Sequence, residues 1–200
     1  MLFLPLSGVI TNNLPSQSLY EPINLFSMQI IEEYAQFFTA AIYGKYPLFD
    51  DVVCVKIVLD SLSFLNDDNR VNIYSFVIMN NHIHLIWQIK PPYTIIEVQR
   101  DFLKFTAQQF KFHLLNTSSD ILEQFEVNRK DREFQFWQRN SLSIPVYTKD
   151  VLEQKLDYIH ANPVKAGLCV EPCDYYLSSA TFYERQDDRF TFLKHYEGRG

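Results

Sequence analysis

Two pairs of side chains in this chain have types and spacing that suit chemistry. His82 and His84 stand one residue apart in NNHIHLIW (80–87), and Tyr158 stands four residues ahead of Asn162 in DYIHANPVK (157–165). Side chains alternate across a β-strand, so the two histidines share one face while Ile83, Leu85 and Trp87 take the other. Residues four apart on a helix lie one above the other, so Tyr158 and Asn162 share a face, with Lys155 three residues before the tyrosine. If that helix packs over the histidine strand, two imidazoles and one amide oxygen form a mixed nitrogen and oxygen set with open positions. Such a set suits Mg2+ or Mn2+ held partly by phosphate and water, and is a poor structural zinc site. An ion there would polarise a phosphodiester and orient it for in-line attack. A free tyrosine, with a pKa of ~10, is ionised at pH 7 in only about one molecule in a thousand. As a nucleophile it would need help from the ion, from a cation such as Lys155, or from a base. Its product would be a phosphotyrosine that keeps the energy of the cleaved bond for rejoining.

Each feature also has a plain structural reading. A His-x-His on a strand is more often structural than metal-binding. Tyr158 is one of 12 tyrosines, and Asn162 before Pro163 is an ordinary helix stop. Arg100, Lys104 and Lys111 read as a solvated helix face, and His113 and His160, without a partner legible in the sequence, as structural.

The elements that must hold these side chains follow from periodicity. YAQFFTAAIY (34–43) reads as a strand. DDVVCVKIVLDSLSFL (50–65) reads as a helix with Val53, Ile57, Leu59 and Leu62 on its apolar side. YSFVIM leads into the histidine stretch, and the whole reads as one strand, giving the order strand, helix, strand. PPY at 91–93 ends it. A helix over about 95–115 carries a core stripe of Val98, Phe102, Phe105 and Phe112, with Arg100, Lys104, Gln108 and Lys111 on another side able to face phosphate. Residues 116–133 read as a loop or short helix and FQFWQRNSLSIPVYT as extended. A last helix covers 150–168, capped by Asp150 with Glu153, buried through Leu152, Leu156 and Ile159, and ended by Pro163 and Gly167.

A chain of 200 residues with 47% hydrophobic and 21% charged residues reads as one globular domain. The boundaries are an irregular extension over 1–27, a domain over 28–185 with Met28 as its start, and a tail over 186–200. No stretch is long and apolar enough for a membrane helix, and MLFLPLSGVI lacks the basic residues of a secretion signal. Cys54, Cys169 and Cys173 show no metal spacing and read as reduced thiols of a cytoplasmic protein. The net charge of −6 opposes a large nucleic-acid footprint. The acids cluster, as at Asp50, Asp51, Asp67, Asp68, Asp187 and Asp188, whereas Arg100, Lys104, Lys111, Arg129, Lys130, Arg132 and Arg139 leave room for a local basic groove.

Taken in order, MNNHIHLIW, LKFTAQQF, WQRN, KLDYIHANPVKAGL and YYLSSATFY closely resemble the HUH single-tyrosine transposases, and within them the REP-associated tyrosine transposases. The resemblance runs from about residue 30 to 185 and is strongest in DYIHANPVKAGL. It implies an α+β, ferredoxin-like fold with an antiparallel sheet flanked by helices. It also implies metal-dependent cleavage and rejoining of single-stranded DNA at a hairpin through a 5′-phosphotyrosine, by a monomer or homodimer. The family's nucleophile falls on Tyr158, its metal ligands for Mg2+ or Mn2+ on His82, His84 and Asn162, and its WQR block on Gln138 and Arg139. Arg100, Lys104, Lys111 and Lys155 complete the expected DNA contacts. Two departures stand out: Asn80 where the family usually has proline, and NSLSIPVY after WQR in place of an aromatic and a histidine. A hairpin-binding relative that does not cut, and a phosphodiesterase that uses water as nucleophile, are the rival readings.

Overall fold

The computed structural model describes residues 34–117 and 120–198. The expected extension over 1–27 and the start at Met28 lie outside the described residues. Strand β1 (Ala35–Ala41) is followed by helix α1 (Val52–Asp67), strands β2 (Val71–Met79) and β3 (His82–Ile89), and helix α2 (Ile95–Asn116). Next come a short hairpin, β4 (Glu126–Arg129) and β5 (Arg132–Phe134), then β6 (Leu142–Val146), α3 (Lys149–Lys165) and α4 (Ala180–Arg185). The main sheet is antiparallel throughout in the order β2-β3-β1-β6. Its sequence of elements, strand-helix-strand-strand-helix-strand with the first and third strands central, is the ferredoxin-like arrangement expected. The fold is α+β.

The sheet is buried on both faces. Phe38, Ala40, Ile83, Leu85 and Trp87 join α1 and α2 in the larger core, while Phe37, Val77, Ile86 and Val146 pack with Leu156 and Ile159 of α3 on the other side. In β2 the register shifts between Ile73 and Ser75, so Val71 and Ile73 before the bulge share a core with Phe76 and Ile78 after it.

The stretch expected as one histidine strand is two. Met79 pairs with His82 across a two-residue turn, Asn80–Asn81, and β2 and β3 form a hairpin. A continuous run of β-forming residues conceals such a turn, because its only mark is the two asparagines.

The helix stripes match expectation at Leu62, Val98 and Phe102 and depart from it elsewhere. In α1 the buried residues are Cys54, Val55, Val58, Ser61, Leu62 and Leu65, and Val53 is exposed. In α2 they are Val98, Phe102, Thr106, Phe110 and Leu114, while Phe105 and Phe112 face solvent. Thr106 is tolerated there because its hydroxyl donates to the Phe102 carbonyl at 2.8 Å and accepts from Trp137 Nε1 at 2.9 Å. Helix α2 begins with a capping box formed by Thr94 and Glu97. Helix α3 is capped by Thr148, which accepts from Val151 N at 3.3 Å, and Asp150 sits in its first turn instead. The helix continues past Pro163 to Lys165, and Gly167 with φ of 71° turns the chain away.

Residues 186–198, read from the sequence as a tail, pack against the edge strand β2. Lys194 N donates to the Ile73 carbonyl at 2.9 Å, and Phe190, Phe192 and Leu193 are buried. Ile78 N donates to the Leu177 carbonyl at 2.9 Å, so β2 is covered by other backbone rather than left open to pairing. Among the described residues no helix is long and apolar enough to cross a membrane.

Candidate active site

Strand β3 sends His82 and His84 to the α3 side of the sheet, and α3 sets Tyr158 against them. The imidazole centroids are 4.9 Å apart, and the Tyr158 ring stands edge-on to His84 at 5.3 Å and to Phe37 at 5.8 Å. Phe37 also stacks on His84 at 5.5 Å, so the three rings touch one another. His84 is 5% exposed and Tyr158 41%, so the pair of rings runs from the protein interior to solvent. Leu156 and Ile159 anchor the helix and fix the phase that turns Tyr158 towards the histidines.

Both histidines are oriented through Nδ1. Asn81 donates from Nδ2 to the Lys45 carbonyl at 3.1 Å, which aims its Oδ1 at His82 Nδ1, 2.8 Å away. An amide oxygen only accepts, so His82 carries its proton on Nδ1 and presents a lone pair on Nε2. The turn that holds Asn81 is itself fixed, since Ile42 N and Phe49 N donate to the carbonyls of Asn81 and Asn80 at 2.8 and 2.9 Å. His84 Nδ1 lies 2.7 Å from the hydroxyl of Thr39, its cross-strand partner on β1. With the hydroxyl accepting, His84 Nε2 is left for a ligand in the same way. Burial pushes the His82 pKa below 6.5; at His84, burial followed by repulsion from His82 takes it down to about 3. Both rings are therefore neutral at pH 7, the form a metal ion needs.

Asn162 lies one turn after Tyr158 and donates from Nδ2 to the Tyr158 carbonyl at 2.9 Å, so its amide oxygen is the atom left to accept. Lys155 Nζ sits 4.9 Å from the centre of the Phe37 ring, beside the site. Gln138 follows Trp137; its N donates at 2.8 Å to the carbonyl of Ala41, the strand partner of His82, and it and Arg139 are exposed at that end of the sheet. Arg100, Lys104 and Lys111 do not join this group. They ride on α2, across the sheet from the histidines, where Arg100 pairs with Asp101 and Lys111 with Glu133. Lys165, whose Nζ lies 5.5 Å from the Tyr158 ring centre, escaped the sequence reading, although it stands two turns after Tyr158 on the same helix. Thr39, Phe37 and Asn81 escaped it too. His113 and His160 do have partners, Asp51 and Ser179, at 2.7 and 2.9 Å.

Chemically, two imidazole lone pairs, a solvent-facing phenol next to them and two ammonium groups at the margin come together, with an amide oxygen one turn along α3. The donor set fits a divalent ion that keeps oxygen ligands from water or phosphate in its open positions.

No family model matches the chain, and no curated protein matches it in sequence. Among solved structures it is similar to a REP-associated tyrosine transposase bound to a REP hairpin, with a TM-score of 0.56 and 16% identity over 74% of this chain and 77% of that one. At that identity the likeness is one of fold, and in fold this chain is like a REP-associated tyrosine transposase. A protein described as a candidate transposase from Deinococcus radiodurans R1 aligns at 14% identity over 62% of this chain and 87% of that one; its TM-score of 0.43 is too low to add to the comparison.

Proposed function

We propose that this protein is a metal-dependent single-stranded DNA endonuclease and strand transferase, a tyrosine transposase acting next to a DNA hairpin. The observation that carries the reading is the contact between Tyr158 and His84, with His82 in the same ring cluster, at centroid distances of 5.3 and 4.9 Å. The fold shared with a hairpin-bound transposase supports it. His82, His84 and Asn162 hold Mg2+ or Mn2+, which supplies Lewis-acid polarisation of the scissile phosphate. Tyr158 Oη attacks the phosphorus, the bond from phosphorus to the 3′ oxygen breaks, and the products are a 5′-phosphotyrosine and a free 3′-hydroxyl. The phenolic proton leaves to solvent and the 3′ oxygen takes one up, so the step is balanced and can run backwards to rejoin strands. Lys155 and Lys165 attract the phosphate by charge, Gln138 and Arg139 meet the strand beside the histidines, and exposed aromatics stack on unpaired bases. Arg100, Lys104 and Lys111 serve only DNA that runs round the opposite face.

The test is a cleavage assay with labelled single-stranded hairpin oligonucleotides drawn from sequence flanking the gene. Cleavage is expected with Mn2+ or Mg2+, none with chelator, and none from Tyr158→Phe or His84→Ala. Cleavage that persists in Tyr158→Phe would point to water as nucleophile and a phosphodiesterase. Binding without any cleavage by the wild type would leave a hairpin-binding protein.

A further inference from the structure

Across the sheet from the histidine pair, a carboxylate, a thiol and an imidazole meet at one point. One donor atom from each of Asp51, Cys54 and His113 lies within 4.8 Å of the other two. They come from two helices: Asp51 caps the first turn of α1, Cys54 follows within that turn, and His113 sits in the last turn of α2. Asp51 divides its oxygens. Oδ1 accepts from Val53 N at 2.8 Å and Cys54 N at 3.4 Å, while Oδ2 faces His113 Nε2 at 2.7 Å. One oxygen is therefore available to a ligand while the other keeps the helix cap. Cys54 is wholly buried and forms the floor, and the side chains of Asp51 and His113, 27% and 17% exposed, form a rim that solvent reaches.

We propose that Asp51 Oδ2, Cys54 Sγ and His113 Nε2 form a zinc site that clips the start of α1 to the end of α2, with water in the fourth position. Tetrahedral zinc, with bonds of about 2.3 Å to sulfur and about 2.0–2.2 Å to nitrogen and oxygen, sets its donors about 3.4–3.6 Å apart. Reaching that arrangement takes a modest opening of the Asp51–His113 contact and an approach of Cys54 by up to about 1.3 Å. A thiolate with an imidazole and a single carboxylate oxygen favours zinc over Mg2+ or Ca2+. The thiol proton passes to solvent and His113 keeps one ring proton, carried on Nδ1 so that Nε2 offers its lone pair, leaving Zn2+ balanced by one thiolate and one carboxylate. Without an ion the same residues form an ordinary capped and hydrogen-bonded pair over a buried thiol, so metal content separates the two states.

The test uses the full chain with His82→Ala and His84→Ala together, which removes the proposed catalytic pair, stripped of metal and titrated with Co2+. One equivalent is expected to bind with a sulfur-to-cobalt charge-transfer band and the strong visible absorption of a four-coordinate ion, and Zn2+ should displace it. Cys54→Ala should abolish the charge-transfer band with Cys169 and Cys173 still present, and His113→Gln should weaken binding at least about tenfold. A folded double variant that binds no Co2+, binds it without the thiolate band, or keeps that band after Cys54→Ala would overturn the proposal.

Discussion

At the scale of single residues, the histidines matter less by their presence than by the nitrogen they expose. Asn81 and Thr39 each engage an Nδ1, at 2.8 and 2.7 Å, and so turn both Nε2 atoms to one side. Groups that orient a ligand in this way are commonly worth about 10–100-fold in metal affinity. Asn81→Ala and Thr39→Val are therefore each expected to weaken Mn2+ binding about 10–100-fold by calorimetry while leaving the fold intact. Unchanged affinity in both would mean the histidines do not hold the ion through Nε2. His82, His84, Tyr158 and Asn162 were legible in the sequence because strand and helix periods alone assign each of them a face. Thr39 was not, since its link to His84 exists only once the β1–β3 register is known, and that register depends on the whole sheet. Lys165 was hidden for a milder reason: a lysine two turns from a tyrosine is indistinguishable from any solvated surface charge.

At the scale of elements, α3 must be held in one phase for Tyr158 to reach the histidines, and His160 takes part in holding it. This imidazole is 6% exposed and bonded to Ser179 Oγ at 2.9 Å, beside Ser75 of β2. Burial takes its pKa down from 6.5 to about 4, against a smaller upward pull from Glu184 and Asp157. The unfolded chain therefore binds the proton more readily than the folded one. Stability from this group is complete above about pH 6.5 and is lost as pH falls towards 4, by about 3 kcal/mol in all. Urea unfolding in chelator across that range should show the decline, with His84 adding its own share, and His160→Gln should flatten it. A slope unchanged in His160→Gln would show that the group is not buried neutral. The elements themselves were largely legible, because α1, α2, α3 and β1 follow their hydrophobic periods. What failed were features set by tertiary partners: the Asn80–Asn81 turn within an apolar run, and the α2 stripe, where Trp137 makes a threonine acceptable in the core and sends Phe105 outward.

At the scale of the whole molecule, the sheet divides the protein into two sides with different demands. One side carries the larger core and the Asp51–Cys54–His113 cluster; the other carries α3, the histidine pair and Tyr158. The cations of α2 lie on the first side, whereas Lys155 and Lys165 of α3 stand against the Phe37 and Tyr158 rings and bring positive charge to the tyrosine in a chain of net charge −6. Residues 186–198 could not be assigned from the sequence because their aromatic residues are scattered, and only the exposed edge of β2 gives them a place to pack. In the proposed reaction Tyr158 itself becomes joined to DNA. The most direct measurement is to incubate the protein with a hairpin oligonucleotide and Mn2+, digest the product, and locate the modified peptide by mass spectrometry. A nucleotide mass on the peptide containing Tyr158, absent with chelator, is the predicted result. Cleaved DNA with no adduct, or an adduct on another residue, would contradict it.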